Sequence, residues 1–439
     1  MQDEITIAVT GDAIINRRIS VCTEERFLSM VKVIRDADVG YTHLETLIHD
    51  YEEPEIYPAA QGGWTYMRSP RFVVDDLKWA GFDIVSTAHN HALDYSYGGL
   101  YSTWKALEEG DLPFAGTGRN LGDAREPTYL ETGKGRVALI SMCSSFVGFA
   151  MAGETRRDMR GRPGINPLRF HYVVDSETLE MIKQIAFKLA WRIEQHGKTW
   201  LFGQAGSRIA IYKFVEGDQP GVTTAVDEND ADGNLRSIRD ARRQADWVLV
   251  HLHNHEWQPD KGKSVPTEFV PSFARTCIDN GADMFIGQGS HAMPRGIEIY
   301  NNKPIFYDPG DFFKMSDTVT RLPSDHYLWP GYSAEVRSWQ ATTADAFDAR
   351  DALPALLNPT GSAPAVGSVV AVCSFGEQRK LTGLKLYPLT HINTPRSQSG
   401  LPILADAEKG KKLIEYLAEL SSPFGVKVEF KDGIGSVKL

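Results

Sequence analysis

The chain has 439 residues, 42% hydrophobic and 24% charged, an ordinary globular composition that excludes a disordered or fibrous protein. Its 47 basic and 57 acidic residues leave a formal charge of −10, which speaks against nucleic acid or an anionic membrane as a bulk partner. Cys22, Cys143, Cys277 and Cys373 lie far apart with no CxxC pair, so neither a disulfide scaffold nor a zinc–cysteine site is expected and a reducing compartment is the simpler reading.

At the start, Asp3 and Glu4 precede a short apolar run, and two early acids without a long apolar core argue against an ordinary secretory signal. No apolar run approaches the roughly 20 residues that span a bilayer, so a cytoplasmic protein with no membrane partner is expected. Residues 5–9 form that first run and end in Thr10-Gly11-Asp12, a buried strand delivering a carboxylate at its C-terminal end. Residues 24–37 have helical spacing, with Phe27, Val31 and Ile34 on one stripe. Ser69-Pro70 opens a second helix, Gly81 closes it, and 82–87 form the next strand. Residues 98–109 and 137–142 repeat the rhythm. Alternation of strand and helix predicts α/β layers with helices covering the sheet.

From about 146 to 237 the rhythm breaks. A turn-rich connector over 160–167 precedes 176–196, where Leu179, Ile182, Ile185, Ala186, Leu189 and Ile193 predict one long amphipathic helix. Core strands return at 246–252, 284–286 and 305–307, with a helix over 267–280 between the first two. Residues 315–364 are rich in Pro, Asp, Ser and aromatics without clear periodicity, as lids and binding loops are. Residues 366–374 and 381–389 read as an antiparallel pair, 405–420 as a helix and 426–439 as a hairpin. The expected organisation is a main domain over 1–390, with a helical insertion at 146–237 and a loop-rich lid at 315–364, followed by a small α+β extension over 391–439.

Seven of the twelve histidines, His43, His89, His91, His251, His253, His255 and His291, fall at or just beyond predicted strand ends, where open α/β sheets place ligands. Carboxylates or amides accompany them in Gly11-Asp12, His43-Leu44-Glu45, His89-Asn90-His91, the 251–256 stretch and Gly289-Ser290-His291. Imidazole with carboxylate suits zinc, manganese or iron rather than calcium. Singly, each piece has a plainer reading: Gly11-Asp12 as a turn, Asn90-His91 as a helix cap, His251, His253 and His255 as the hydrogen-bonded face of an extended strand. Five such clusters at successive strand ends predict a site for one or more divalent metal ions (Mn, Zn or Fe).

The ordered set of Thr10-Gly11-Asp12, His43-Leu44-Glu45, Ala80-Gly81-Phe82-Asp83, His89-Asn90-His91-Ala92-Leu93-Asp94-Tyr95, Gly116-Thr117-Gly118, His253, Asn280-Gly281-Ala282-Asp283, Gly287 with His291, and Lys303-Pro304-Ile305-Phe306-Tyr307 resembles the poly-gamma-glutamate capsule-biosynthesis (CapA-type) family. That family belongs to the calcineurin-like metallophosphatase superfamily, and the similarity covers residues 4–313 apart from the insertion. The resemblance implies a metallophosphatase-like four-layer α/β/β/α sandwich with a two-metal or degenerate one-metal site. It implies Asp12, Glu45, Asn90, His253 and His291 as ligands, Glu45 as the bridge, and His91 as general acid or base, with Asp94 fixing the tautomer of the His91 ring. The family usually carries Asn where His43 and His89 stand, His where Gln288 and Gly289 stand, and Asn where Asp311 stands. A rewired set is therefore expected, with His43 joining the ligands and His255 joining His91 and Asp94 in catalysis.

On the substrate side, Trp257 with Tyr327 and Trp329 can form an aromatic wall for a planar or apolar organic molecule, with His89 and Gln288 lining the site. Arg17, along with Arg18 and Arg68, can contact an anion, although each is equally well read as a structural partner. The leading expectation is a metal-dependent hydrolase that cleaves a phosphoester or amide bond of a small or oligomeric organic substrate, with metal-bound hydroxide as nucleophile. A metal-dependent lyase cleaving a C–C or C–O bond of a small aromatic substrate is the second, and a non-catalytic binding protein with a degenerate site the third. A homo-oligomer is compatible with all three.

Overall fold

The apolar runs of the sequence become two sheets. A computed structural model of the chain describes residues 4–59, 66–204, 211–291, 294–327, 339–351 and 367–439. In it β1 (Ile5–Ile14), β2 (Val39–His43), β3 (Ile84–Ser86) and β4 (Phe114–Ala115) lie side by side and parallel. A second parallel set comprises β5 (Gly135–Cys143), β6 (Trp247–His253), β7 (Met284–Gln288) and β8 (Lys303–Phe306). The first sheet is extended on its other side by antiparallel β9 (Ser368–Phe375) and β10 (Leu381–His391) and then by the hairpin of β11 (Val428–Lys431) and β12 (Ile434–Val437).

The sheets pack face to face. Ile5, Ile7, Val9, Val39 and Tyr41 from one meet Val137, Leu139, Trp247, Leu249 and Met284 from the other in a single buried cluster. Each such side chain contributes roughly 1.5–3 kcal/mol by leaving water. The outer face of the first sheet is covered by α1 (Glu25–Arg35) and α2 (Val73–Ala80) through Phe27, Met30, Ile34, Val73 and Leu77. The outer face of the second is covered by α3 (Glu228–Gln244) and α4 (Phe269–Asp279) through Ile238, Ala241, Phe273 and Cys277. Strands buried on both faces explain why the sequence shows continuous apolar runs there rather than alternation. Gly81, at φ 97°, ends α2 in the left-handed conformation that lets the chain turn directly into β3.

The insertion differs from the helix expected of it. Ser176–Lys188 is helical, but Ala190 at φ 52° reverses the chain, and Arg192–His196 is a strand paired antiparallel with Thr199–Gly203. With Ile211–Glu216, Phe170–Val174 and Val222–Val226 these make a five-stranded sheet, so the insertion is α+β. The spacing of Leu189 and Ile193 suits a helix by coincidence, whereas Gly197 at φ 61° makes the hairpin turn. Helix α3 begins within the 146–237 stretch yet packs on the second sheet with the main body. At the other end, the C-terminal hairpin adds strands to the first sheet, and Leu413, Ile414 and Leu417 of α5 (Ala407–Ser421) enter the core between the sheets. Among its described residues the 315–364 stretch contributes the short α-helices Ser324–Tyr327 and Thr343–Asp351. Among the described residues no helix is long and apolar enough to cross a membrane.

Candidate metal centre

Parallel strands bring their carboxyl ends to one edge of the sandwich. Strand register sets Asp12 beside His43, His43 beside Ser86, and His253 beside Cys143 and Gln288. The amide of Gln288 donates to the carbonyl of Thr10 at 2.7 Å, tying β7 to β1 across the two sheets. Gly11 permits a second approach: a Cβ there would stand 1.5 Å from the carbonyl oxygen of Gly310, so the 308–311 turn lies directly on β1. Asp308 shapes that turn by accepting from the backbone N–H groups of Ser290 (2.7 Å) and Gly310 (2.6 Å), and Phe312 N–H donates to the Asp12 carbonyl. Asp311 thereby reaches the histidines.

Glu45 Oε1 lies 3.3 Å from His291 Nε2, 3.6 Å from His253 Nε2 and 3.9 Å from His91 Nε2. Asp12 lies 3.9 Å from His43 Nε2 and 3.8 Å from His291 Nδ1, and Asp311 Oδ1 is 3.0 Å from the same Nδ1. Three sets have ligand atoms all within 4.8 Å of one another: Glu45, His253, His255 and His291; Asp12, His43 and His253; and Asp12, His291 and Asp311. Asn90 Oδ1 sits 3.0 Å from His253 Nε2, inside the same cluster. The residues shared between sets are Asp12, His253 and His291, whereas Glu45 belongs to one.

This donor set fits a divalent cation. Asp12 and Glu45 are wholly buried, and neither carboxylate accepts a hydrogen bond from any described residue. An ionised carboxylate in that position costs several kcal/mol unless an opposite charge compensates it. Burial, and next the charge of Glu45, push the Asp12 carboxyl well above the usual carboxylate range. Burial and neighbouring imidazoles hold His43, His253 and His255 well below the ordinary histidine value, leaving them neutral as metal ligands must be. Imidazoles mixed with carboxylates match zinc, manganese or iron.

His91 behaves differently. Burial opposes its charged form, but Asp94, whose Oδ2 accepts from His91 Nδ1 at 2.7 Å, outweighs that and raises it. The same Oδ2 accepts from the backbone N–H of Met67, which fixes the carboxylate in turn. His291 is likewise raised against burial, by Glu45 and Asp311. Behind these lie further imidazoles. His251 stacks on His43 with ring centroids 4.3 Å apart, contacts Ser141 Oγ through Nδ1 at 2.9 Å, and is pushed down to about 3 by burial. His89 is buried edge-on to His43 at 5.6 Å.

The residues expected on the substrate side are divided. Arg17 donates to the backbone carbonyls of Arg396 and Ser399, Arg18 pairs with Asp76, and Arg68 donates to the His49 carbonyl. These guanidinium groups tie segments of the chain together. Gln288 is fully buried beneath the centre, Tyr327 is buried against His326, and Trp257 stands 41% exposed. Trp329 lies outside the described residues. Reading the strand ends gave Asp311 no role, although the turn signal of Asp308-Pro309-Gly310 before it was there to see. Two serines that sequence pattern does not mark support the histidines: Ser86 Oγ lies 2.7 Å from the His43 ring Nδ1, and Ser145 Oγ accepts from the backbone N–H of His255 and donates to Glu256.

Comparison with known proteins gives a family. A family model described as bacterial capsule synthesis protein PGA_cap matches residues 6–316. Over 441 residues the chain is 32% identical to the uncharacterized protein y4sH of Sinorhizobium fredii, spanning 100% of this chain and 94% of that one. It is 22% identical over 316 residues to the capsule biosynthesis protein CapA of Bacillus anthracis, covering 71% of this chain and 60% of that one. Against the PGA biosynthesis protein CapA of Bacillus subtilis it is 23% identical over 331 residues, covering 73% and 66%.

Proposed function

The chain belongs to the bacterial capsule synthesis protein (PGA_cap) family, and from that premise we propose that it is a metal-dependent hydrolase cleaving a phosphoester or amide bond, built on a metallophosphatase-like sandwich. The observation that carries this reading is the pair of buried carboxylates, Asp12 and Glu45, without hydrogen-bond donors and ringed by imidazoles of which His43, His253 and His255 are held neutral. One cation position would draw on Glu45, His253, His255 and His291, and a second on Asp12 with His43 and His253 or with His291 and Asp311. His255 is thus a ligand in this reading rather than an acid or base. A divalent cation bound there acidifies a water and polarises the substrate's oxygen.

The chain's own part is proton handling and exclusion of water. His91 holds its Nδ1 proton against Asp94 and presents Nε2 toward Glu45, so Nε2 is the atom that hands a proton to the leaving oxygen or nitrogen. Asp94 keeps the ring in that orientation. The buried ring of His89 helps keep the floor of the site dry.

The relatives' names direct attention to glutamate polymers, so γ-linked glutamate oligomers belong beside simple phosphoesters and amides in a turnover panel. The test is to load the purified chain with Mn²⁺, Zn²⁺ or Fe²⁺, verify metal content by elemental analysis, and assay that panel in ¹⁸O-water. A hydrolase puts the label into product. A lyase is the second reading, favoured by imidazoles at His89 and His251 that are buried behind the centre and lie outside the three candidate ligand sets. Turnover without label would establish it over the first. Protein that retains no metal under any loading would refute both.

A further inference from the structure

Just past the end of β6, Trp257–Gln258 pairs antiparallel with Gly262–Pro266 to form a short ribbon beside His255. Arg295 holds it in place. Its wholly buried guanidinium donates to the carbonyl of Lys263 at 2.9 Å, to Asn254 Oδ1 at 2.7 Å and to the carbonyl of Glu256 at 2.9 Å. All three acceptors are neutral.

Lys263 itself is half-buried on this ribbon, with its ammonium 5.4 Å from the centroid of the exposed Trp257 ring. Among the described residues neither Lys263 nor Arg295 has a carboxylate within 4 Å, whereas the neighbouring cation Lys314 is paired with Asp311 at 3.4 Å. Burial and then the charge of Arg295 push the Lys263 ammonium below its ordinary value. A partly desolvated ammonium with no carboxylate in contact is costly until an anion arrives.

We propose that Lys263 and Trp257 form an anchor for an organic monocarboxylate, the ammonium pairing with the carboxylate and the indole carrying the flat or apolar body of the molecule. The anion is singly charged because one ammonium is on offer: Arg295 is wholly buried, with its Nε and both Nη atoms each donating to the protein, so it presents no exposed fork to a phosphate. The ribbon follows His253 and His255 directly in sequence, which puts the anchor next to the metal centre along the chain. The inference rests on the proposed hydrolase in one respect, that the anchored molecule is its substrate.

Binding is measured by ¹⁹F NMR titration of the full chain, metal-free and metal-loaded, with 4-fluorobenzoate, 4-fluorobenzamide and 4-fluorophenyl phosphate. In metal-free protein, 4-fluorobenzoate should bind about tenfold or more tightly than the amide, the factor expected of one charge-assisted contact. Lys263→Met should abolish that preference and Lys263→Arg should keep most of it, both with unchanged metal content. Benzoate binding that needs the metal and ignores Lys263 would overturn the anchor, and so would equal binding of benzoate and benzamide. Tighter binding of the phosphate would overturn the monocarboxylate class. A chain that takes up no metal would sink the hydrolase reading, yet the metal-free titration would still decide the anchor.

Discussion

Replacing Asp12 by Asn separates the two halves of the metal argument, because it should change stability in opposite directions with and without the ion. In the metal-free protein the buried Asp12 carboxyl has no hydrogen-bond donor, and burial and the charge of Glu45 raise its pKa. A carboxyl whose folded-state value lies above its unfolded value costs stability as pH rises past the unfolded value, by at most about 1.4 kcal/mol per pH unit. The neutral amide removes that cost. Asp12→Asn should therefore be nearly silent around pH 4 and increasingly stabilising toward pH 8, by about 1–3 kcal/mol, the usual penalty for an unsatisfied buried polar group. For 439 residues, at roughly 2.1 cal/mol/K of unfolding entropy each, 1 kcal/mol moves the melting midpoint by about 1 °C. The parent chain should gain about 2.7 kcal/mol from Mn²⁺ or Zn²⁺ at 100 times its Kd, and a variant weakened 100-fold only about 0.4. Thermal melts across pH, with and without metal, read both effects. A variant that melts lower than the parent at pH 8 without metal, or that keeps the full metal shift, would refute the reasoning.

Asp94→Asn tests the role of His91: without the carboxylate that raises the ring, the basic limb of the kcat profile should move to lower pH, whereas a merely structural Asp94 would leave the limb in place. His91→Ala should lower kcat by about 10²–10⁴ at unchanged metal content. Gly11→Ala puts a methyl group 1.5 Å from the Gly310 carbonyl, so the turn carrying Asp311 must move away from Asp12. Metal affinity should fall at least about tenfold while the far-UV circular dichroism stays that of the folded chain, and unaltered affinity would disprove the close approach.

Most of the two sheets could be read from sequence because their strands are buried on both faces and carry little else: β1, β6 and β7 are nearly unbroken apolar runs. The insertion could not be read the same way. Its strands are half-exposed, and the apolar positions of Arg192–His196 continue the phase of the preceding helix, so periodicity alone carried the helix past Ala190. The decisive information there is a backbone reversal of a few residues, which a period of 3.6 cannot register.

The centre shows the same division. Asp12, His43, Glu45, His253 and His291 stand at or just beyond carboxyl ends of neighbouring parallel strands, so recognising the strands was enough to predict that these side chains converge. Asp311 follows no parallel strand end. It is delivered by a turn that can lie on β1 because Gly11 leaves room for the Gly310 carbonyl, while Gly310, at φ 86°, takes the left-handed conformation the turn needs. A contact of that kind leaves no trace in hydrophobic patterning. Its sign is the absence of side chains at two positions about 300 residues apart, each immediately before an aspartate. The repeated Gly-Asp pair is therefore best understood as one feature: Gly11 makes room for the Gly310 carbonyl, Gly310 at φ 86° turns the chain there, and the imidazole of His291 lies within 4 Å of both carboxylates.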